Sequence, residues 1–214
     1  MSAMYLIVSG GERPQKDLLR EHASKAAMVI AADKGALYCV ESDVVPHLVV
    51  GDMDSVPEEV LVELSRHNVE MLCFAPEKDQ TDTQIALGEA IGRGAQEIEI
   101  MAGTGDRLDH VLANVHLLYM ALLAGLKAYM ITNNQQIFLL EKNHVFRGMS
   151  GRTVSFLPFT QRVDGIRMKG FAYELHDAVM EIGNPYGVSN RIISEAASIY
   201  ISNGVMLVIV SWRV

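Results

Sequence analysis

The chain has 214 residues, enough for one large domain or two small ones. Half of its residues are hydrophobic and 21% are charged, a composition that argues against wholesale disorder. The formal net charge of −8, without a run of Lys and Arg, argues against a nucleic-acid partner.

Short apolar runs alternate with helical patterns through the first two thirds of the chain, which predicts a mainly parallel α/β sheet. Strands are predicted at residues 5–8, 28–32, 48–50, 71–74, 98–102 and 128–131. Helices are predicted from Pro14, at 35–42, from Pro57 to about 67, at 81–92 and at 108–125, with residues 76–78 in a loop. Thr81 is expected to cap the fourth helix, because Gln84 follows at capping-box spacing.

The pattern changes near Gln136, after which no convincing long helix is found. Strands are predicted at residues 137–140, 153–159, 166–175, 198–202 and 205–210, with glycine-rich turns between them. This pattern predicts a small all-β sandwich domain. We place the boundary around residues 141–150, which gives an α/β nucleotide domain at 1–142 and a β-sandwich at 148–214.

The two cysteines, Cys39 and Cys73, lie far apart, each within an apolar pattern. We expect two buried, reduced thiols in a cytoplasmic protein, and neither a disulfide nor a metal pair. The apolar runs at 117–126 and 205–210 are too short to span a bilayer. The N-terminus has no basic region ahead of its apolar residues, so no membrane partner or secretory signal is expected.

Polar loops follow the predicted parallel strands, and ligands bind at the carboxyl ends of strands in open α/β sheets. These loops are Ser9-Gly10-Gly11, Asp33, Asp52 with Asp54, Asp79, Gly103-Thr104-Gly105 and Thr132-Asn133. Glycine and aspartate also form ordinary turns. Because so many such loops share one edge of the sheet, they predict a ligand site there.

The sharpest local motif is Gly51-Asp52-Met53-Asp54-Ser55. Two carboxylates one residue apart, just after a buried strand, can reach one hard cation such as Mg²⁺. The alternative is an aspartate-rich turn in which Ser55 caps the next helix.

Two further segments lie at predicted helix N-termini. In Asp79-Gln80-Thr81-Asp82, Asp82 is either a first-turn acid that complements the helix dipole or a further metal ligand or base. Residues 103–107 combine glycines with Arg107 ahead of a helix, which is typical of a phosphate site. The alternative is a tight turn in which Asp106 or Asp109 caps the helix that follows. Since Mg²⁺ would offset the charge between acidic loops and a polyphosphate, these residues together predict magnesium–nucleotide chemistry.

Three motifs in this order resemble the signature blocks of the thiamine pyrophosphokinase family. They are Gly51-Asp52-Met53-Asp54-Ser55, Asp79-Gln80-Thr81-Asp82 and Gly105-Asp106-Arg107-Leu108-Asp109-His110. Val188-Ser189-Asn190 is similar to the family's thiamine-site segment. Each block is common alone, whereas the ordered set is specific and covers nearly the whole chain.

The resemblance implies an enzyme that transfers the pyrophosphoryl group of ATP to the hydroxyl of thiamine and releases AMP. It also implies a homodimer, with sites across the subunit interface. Catalytic roles are implied for Asp52, Asp54, Asp82 and Asp109, and Mg²⁺ binding for Asp52, Asp54 and Asp82. ATP contacts are expected from Asp33, Ser55, Asp79, Thr81, Gly105, Arg107 and Asn133, and thiamine contacts from Ser189 and Asn190. Either Asp82 or Asp109 would accept the hydroxyl proton.

The chain departs from the family pattern at three positions. Met53 stands where an aromatic residue is usual, Asp106 replaces a glycine, and Lys34 follows Asp33 where glycine is common. The aromatic residue expected against thiamine is not assigned, and the single tryptophan is Trp212. Two other functions stay open: another magnesium-dependent D-x-D nucleotide transferase, and a non-catalytic thiamine or nucleotide sensor in which Asp106 abolishes turnover.

Overall fold

The structure is a computed structural model that describes residues 3–75 and 79–212. The chain forms two compact units, Met1–Asn133 and Asn134–Val214. The loop predicted at residues 76–78 lies outside the described residues. Within the described residues, no helix combines the length and apolar character that crossing a membrane requires.

The first unit is built on a parallel sheet. Its strands are β1 (Met4–Val8), β2 (Met28–Ala32), β3 (Leu48–Gly51), β4 (Glu70–Cys73), β5 (Glu97–Met101) and β6 (Lys127–Ile131). Its helices are α1 (Lys16–Lys25), α2 (Gly35–Glu41), α3 (Glu58–Arg66), α4 (Asp82–Gly92) and α5 (Leu108–Leu123). The strands pair in the order β6-β5-β1-β2-β3-β4, and every one of these pairs is parallel.

The sequence pattern explains these elements. Leu6, Ile7 and Val8 of the central strand β1 are fully buried, as expected for a parallel strand covered on both faces. The Thr81 hydroxyl accepts a hydrogen bond from the Gln84 N–H at 3.2 Å, which confirms the predicted cap of α4. The chain leaves α5 at Gly125, whose φ of +77° favours glycine.

The second unit contains two antiparallel sheets. Its strands are β7 (Gln135–Leu140), β8 (Asn143–Arg147), β9 (Thr153–Pro158), β10 (Arg162–Lys169), β11 (Ala178–Glu181), β12 (Asn190–Arg191), β13 (Ala196–Tyr200) and β14 (Met206–Ser211). One sheet has the order β12-β9-β14-β7 and the other β11-β10-β13-β8. The predicted fold class, an α/β unit followed by an all-β unit, is confirmed.

An aromatic cluster forms the core of the second unit. Phe146 on β8, Phe156 on β9 and Phe171 after β10 are all buried. Their rings meet edge to face, with centroids 5.5 Å to 6.3 Å apart. Because β8 and β9 belong to different sheets, this cluster joins the sheets of the sandwich.

Three details differ from the sequence-based expectation. The units divide between Asn133 and Asn134, earlier than the expected boundary at 141–150, because β7 pairs with β14 of the second unit. The run at 166–175 is not one strand, because β10 ends before Gly170, where φ is +85°. Cys73 is exposed at the end of β4, on the edge of the parallel sheet, whereas Cys39 is buried as expected.

Candidate functional site

The strand order of the parallel sheet reverses between β1 and β5, and the loops that follow these two strands lie against each other. β1 lies between β2 and β5, and the loops that follow β1 and β5 are joined by backbone hydrogen bonds. The Gly11 N–H donates to the Ala102 carbonyl at 2.8 Å, and the Glu12 N–H donates to the Thr104 carbonyl at 2.5 Å. Open α/β sheets bind ligands at this kind of switch point.

Gly11 is required for the close approach of these loops. A Cβ atom at this position would lie 2.1 Å from the Thr104 carbonyl oxygen and 2.5 Å from that of Ala102. The Tyr38 hydroxyl donates to the Gly11 carbonyl at 2.8 Å, and the Lys34 amine lies 5.8 Å from the centre of the Tyr38 ring. The two loops therefore pack closely at the switch point, and a cationic side chain lies near them.

Three carboxylates meet at the ends of β2 and β3. One carboxylate oxygen each from Asp33, Asp52 and Asp54 lies within 4.8 Å of the others. Asp33 and Asp52 are half-buried, and Asp54 is exposed. The structure therefore brings together the two aspartates of the D-x-D motif, and adds Asp33, which the sequence assigns to ATP binding.

The backbone at this cluster is unusual. Asp33 has φ of +48° and Met53 has φ of +66°, a left-handed conformation that is costly for residues other than glycine. Gly51, at φ of +150°, packs against Asp33, because a Cβ at Gly51 would lie 3.2 Å from the Asp33 Cα. Both left-handed residues lie just after a strand, Asp33 after β2 and Met53 after β3, where the three carboxylates meet.

The surroundings of Asp33 disfavour its charged form. Burial raises its pKa above the ordinary value, and the negative charges of Asp82 and Asp52 raise it further, whereas the Ser55 hydroxyl and the Lys34 N–H partly oppose this. Its Oδ1 atom is buried and has no hydrogen-bond partner in the part of the chain that the structure describes. An unpartnered buried carboxylate oxygen among other carboxylates is suited to binding a cation.

The N-terminus of α4 lies beside this cluster. The Thr83 hydroxyl, which is buried, is hydrogen-bonded to the Ser9 hydroxyl of the loop after β1 at 2.9 Å. Asp82 lies close enough to raise the pKa of Asp33, although it is not among the three clustered carboxylates. Asp79 and Thr81 are exposed, and the Thr81 side chain already caps the helix.

The loop between β5 and α5 carries an ion pair. Arg107 donates from Nη2 to Asp109 at 2.6 Å and from Nε at 3.3 Å, and both side chains are exposed. The hydrogen bond from Arg107 holds the pKa of the Asp109 carboxyl below its ordinary value. Gly105 is exposed, and the buried Asn114 donates to the Gly103 carbonyl at 2.8 Å, which fixes the loop from behind.

Asn133, expected to contact ATP, is bound to the loop before α1. Its Oδ1 accepts from the Gln15 N–H at 2.8 Å, and its Nδ2 donates to the Arg13 carbonyl at 3.1 Å. The structure therefore shows Asn133 holding the 12–15 loop.

A separate cavity of about 410 Å³ opens in the second unit. Ser189 and Asn190 line it, together with the exposed Tyr173 and Tyr186 and an apolar wall that includes Phe156. Ser189 has φ of +60°, and its N–H donates to the Ser155 hydroxyl at 3.0 Å.

The two predicted thiamine residues differ in what they contact. Asn190 is buried, and its amide is hydrogen-bonded to the backbone of Tyr173 and Arg191. Ser189 is exposed at the cavity. Trp212 is not a lining residue of this cavity, and its ring lies 5.9 Å from the Arg152 guanidinium carbon.

Two family models match the two units in order. Residues 19–130 match the thiamin pyrophosphokinase catalytic domain, and residues 139–206 match the thiamin pyrophosphokinase vitamin B1 binding domain. The chain belongs to the thiamine pyrophosphokinase family.

Individual relatives agree with this assignment. A thiamine pyrophosphokinase of Bacillus subtilis is 28% identical over 205 residues, which cover 95% of this chain and 96% of that protein. A crystal structure of thiamine pyrophosphokinase from Bacillus subtilis has a TM-score of 0.90 at 25% identity, covering 99% of this chain and 100% of that one. The enzyme from Candida albicans shares the fold, with a TM-score of 0.86 at 18% identity, covering 98% of this chain and 89% of that one.

Membership of the thiamine pyrophosphokinase family confirms the resemblance found in the sequence, whereas the individual residue roles remain predictions. Sequence reasoning did not single out Asn114 or the two tyrosines of the cavity. Tyr173 and Tyr186 stand in turn-rich segments where no periodicity marks a ring that faces a cavity. The only available signal was their aromatic character among polar turn residues.

Proposed function

We propose that the chain catalyses transfer of the pyrophosphoryl group of ATP to the hydroxyl of thiamine, giving thiamine diphosphate and AMP. The observation that carries this proposal is the cluster of Asp33, Asp52 and Asp54 at the carboxyl ends of β2 and β3. The loops after β1 and β5 lie at the same edge of this parallel sheet. The order of the two family domains supports the same reaction.

The carboxylate cluster fits a magnesium ion. Its donors are all oxygen atoms, and the buried Oδ1 of Asp33 has no partner among the described residues. Asp33, Asp52 and Asp54 would hold the ion, and Asp82 would add negative charge nearby. Bound Mg²⁺ supplies charge neutralisation for the phosphates and polarises the phosphorus that is attacked.

The remaining residues bind and orient ATP. Arg107 and the N-terminus of α5 are suited to phosphate oxygens, as are the backbone amides around Gly105. Lys34 offers a further cation, near the Tyr38 ring. Ser55, Asp79 and Thr81 are proposed ATP contacts, while Asn133 would act by holding the 12–15 loop.

We assign acceptance of the hydroxyl proton to Asp82. The alternative, Asp109, is paired with Arg107, and the pair lowers its pKa and makes it a weaker base. Asp109 instead orients the guanidinium group for the phosphates.

Thiamine is assigned to the 410 Å³ cavity of the second unit, where Ser189 offers its hydroxyl. We also propose a homodimer in the cytoplasm, on the strength of the family membership. Nucleic acids and membranes are not proposed as partners.

The direct test incubates the purified chain with ATP, Mg²⁺ and thiamine, and separates the products by chromatography. We expect AMP and thiamine diphosphate in equal amounts, both dependent on thiamine. ADP with thiamine monophosphate would contradict the proposed pyrophosphoryl transfer. Binding of thiamine or ATP without any product would favour the sensor function, and Asp106→Gly would then test whether Asp106 abolishes turnover.

A further inference from the structure

Asn190 is a buried residue whose side-chain amide is hydrogen-bonded to the backbone of the exposed Tyr173. Its Oδ1 accepts from the Tyr173 N–H at 3.0 Å, and its Nδ2 donates to the Tyr173 carbonyl at 2.7 Å. Only 6% of Asn190 is exposed, whereas 74% of Tyr173 is. One amide therefore satisfies both backbone polar groups of Tyr173.

The hydrogen bonds between Asn190 and Tyr173 extend a short antiparallel pairing of the backbone. Phe171 bridges Ile192, and the Ala172 N–H donates to the Arg191 carbonyl at 2.8 Å. At Tyr173 the chain turns away, and the side chain of Asn190 replaces the backbone partner that a continued ladder would supply. Glu174 closes the turn by accepting from the Gly170 N–H at 2.7 Å.

These hydrogen bonds hold the backbone of an aromatic residue, Tyr173, in place beside a cavity. Tyr173 lines the 410 Å³ cavity, as does Tyr186, whose hydroxyl donates to the Val179 carbonyl. The cavity wall behind them is apolar and includes Phe156 and Met168. An aromatic residue with a fixed backbone, beside an apolar wall, is suited to a flat, positively charged heterocycle, because cations are attracted to aromatic faces.

We propose that Asn190 is a positioning residue, which fixes Tyr173 as the aromatic wall against an aromatic cation, and that it does not contact the ligand through a free amide. The proposal rests on the proposed function for its ligand, thiamine, whose thiazolium ring is such a cation. It changes the role expected for Asn190 from a direct thiamine contact to one that acts through Tyr173.

A double-mutant cycle tests this inference. Thiamine binding to the full chain is measured by calorimetry for the wild type, Tyr173→Ala, Asn190→Ala and the double variant. We expect Tyr173→Ala to weaken binding by about tenfold. Asn190→Ala should weaken it by a similar factor, but by less than about twofold when Tyr173 is already alanine. Equal losses in both backgrounds would mean that Asn190 acts on the ligand directly, and would overturn the proposal.

Two controls sharpen the cycle. Tyr186 lines the same cavity but is not hydrogen-bonded to Asn190. The loss of thiamine affinity in Tyr186→Ala should therefore multiply with the loss in Asn190→Ala. Tyr173→Phe retains the ring and should bind thiamine within about threefold of the wild type. A loss in Tyr173→Phe as large as in Tyr173→Ala would show that the hydroxyl matters and the aromatic wall does not.

A second measurement does not depend on any ligand. Amide hydrogen exchange of Tyr173, followed by NMR, should speed up at least about tenfold in Asn190→Ala, while core amides such as that of Phe156 stay protected. An unchanged Tyr173 amide would overturn the positioning role even if the variant binds poorly. Failure of the wild type to bind thiamine would overturn the assigned ligand and the proposed function, whereas the exchange result decides the positioning role separately.

Discussion

Arg107 and Asp109 lie two residues apart at the start of α5 and share two hydrogen bonds. The side chains of residues i and i+2 do not face each other within a helix, and this pair forms because Arg107 lies at the N-cap position, where its backbone is extended. The hydrogen bonds to Asp109 orient the Arg107 guanidinium beside the N-terminus of α5, where a phosphate would bind.

The Arg107–Asp109 pair predicts a pH dependence. Asp109 has a pKa below its ordinary value of 3.8, so the pair is present above that pH and is lost as the pH falls through the lowered value. An NMR titration should place the Asp109 midpoint below 3.8, and Arg107→Ala should return it toward 3.8. A wild-type midpoint at or above the ordinary value would contradict the pairing in solution.

The choice of proton acceptor predicts a kinetic contrast between two isosteric changes. Asp82→Asn should lower kcat by about a hundredfold or more, the usual contribution of a general base. Asp109→Asn should change kcat less, and should instead raise the KM for ATP because Arg107 loses its orienting partner. Steady-state AMP formation measures both, and the opposite ranking would return the base to Asp109.

The carboxylate cluster predicts loss of turnover without loss of fold in Asp54→Asn. The change removes one oxygen ligand and one negative charge from an exposed position, so circular dichroism should match the wild type. Added Mg²⁺ should raise the Tm of the wild type but not that of Asp54→Asn, because binding to the folded state stabilises it. Asp17→Asn, at a side chain that is 97% exposed in α1, serves as the control. Near-normal activity in Asp54→Asn would refute the assigned metal site.

Two glycine substitutions should act in opposite directions. Gly11→Ala places a Cβ 2.1 Å from a carbonyl oxygen, so the loops after β1 and β5 must move apart and the free energy of unfolding should fall by about 2 kcal/mol or more. Gly88→Ala meets open space in α4 and should raise it by about 0.5–1 kcal/mol. Urea denaturation measures both, and equal stability of Gly11→Ala and the wild type would show that the loops do not pack this closely.

The two cysteines predict a labelling pattern. Burial raises the pKa of the Cys39 thiol to about 12, so at pH 8 it stays protonated and shielded, whereas Cys73 is exposed. Iodoacetamide should modify one thiol in the folded chain and both in denaturant, as counted by mass spectrometry. Cys73→Ser should abolish labelling of the folded chain, and rapid labelling of that variant would contradict the burial of Cys39.

The sequence predicted the parallel sheet well, because β1, β2 and β3 are continuous apolar runs that end in polar loops. It also located the loops of the site, since strand order places their carboxyl ends along one edge. It did not predict the division at Asn133, because the apolar run of β7 looks the same whether it joins a parallel or an antiparallel sheet.

Individual side-chain contacts were harder to predict. That Asp33 would join Asp52 and Asp54 depends on left-handed backbone at Asp33 and Met53, which these residue types do not indicate. Asn190 was expected at a ligand, yet its amide is satisfied by the Tyr173 backbone, a pairing across 17 residues that no local pattern encodes.

The central position of β1 has a consequence for synthesis of the chain on the ribosome. β1 spans Met4–Val8, but its partner on one side, β5, ends only at Met101. Until those later residues have left the exit tunnel, one edge of this apolar strand stays open to pairing with other chains. The loop after β1 likewise acquires its partner, the loop after β5, only after most of the first unit has been translated.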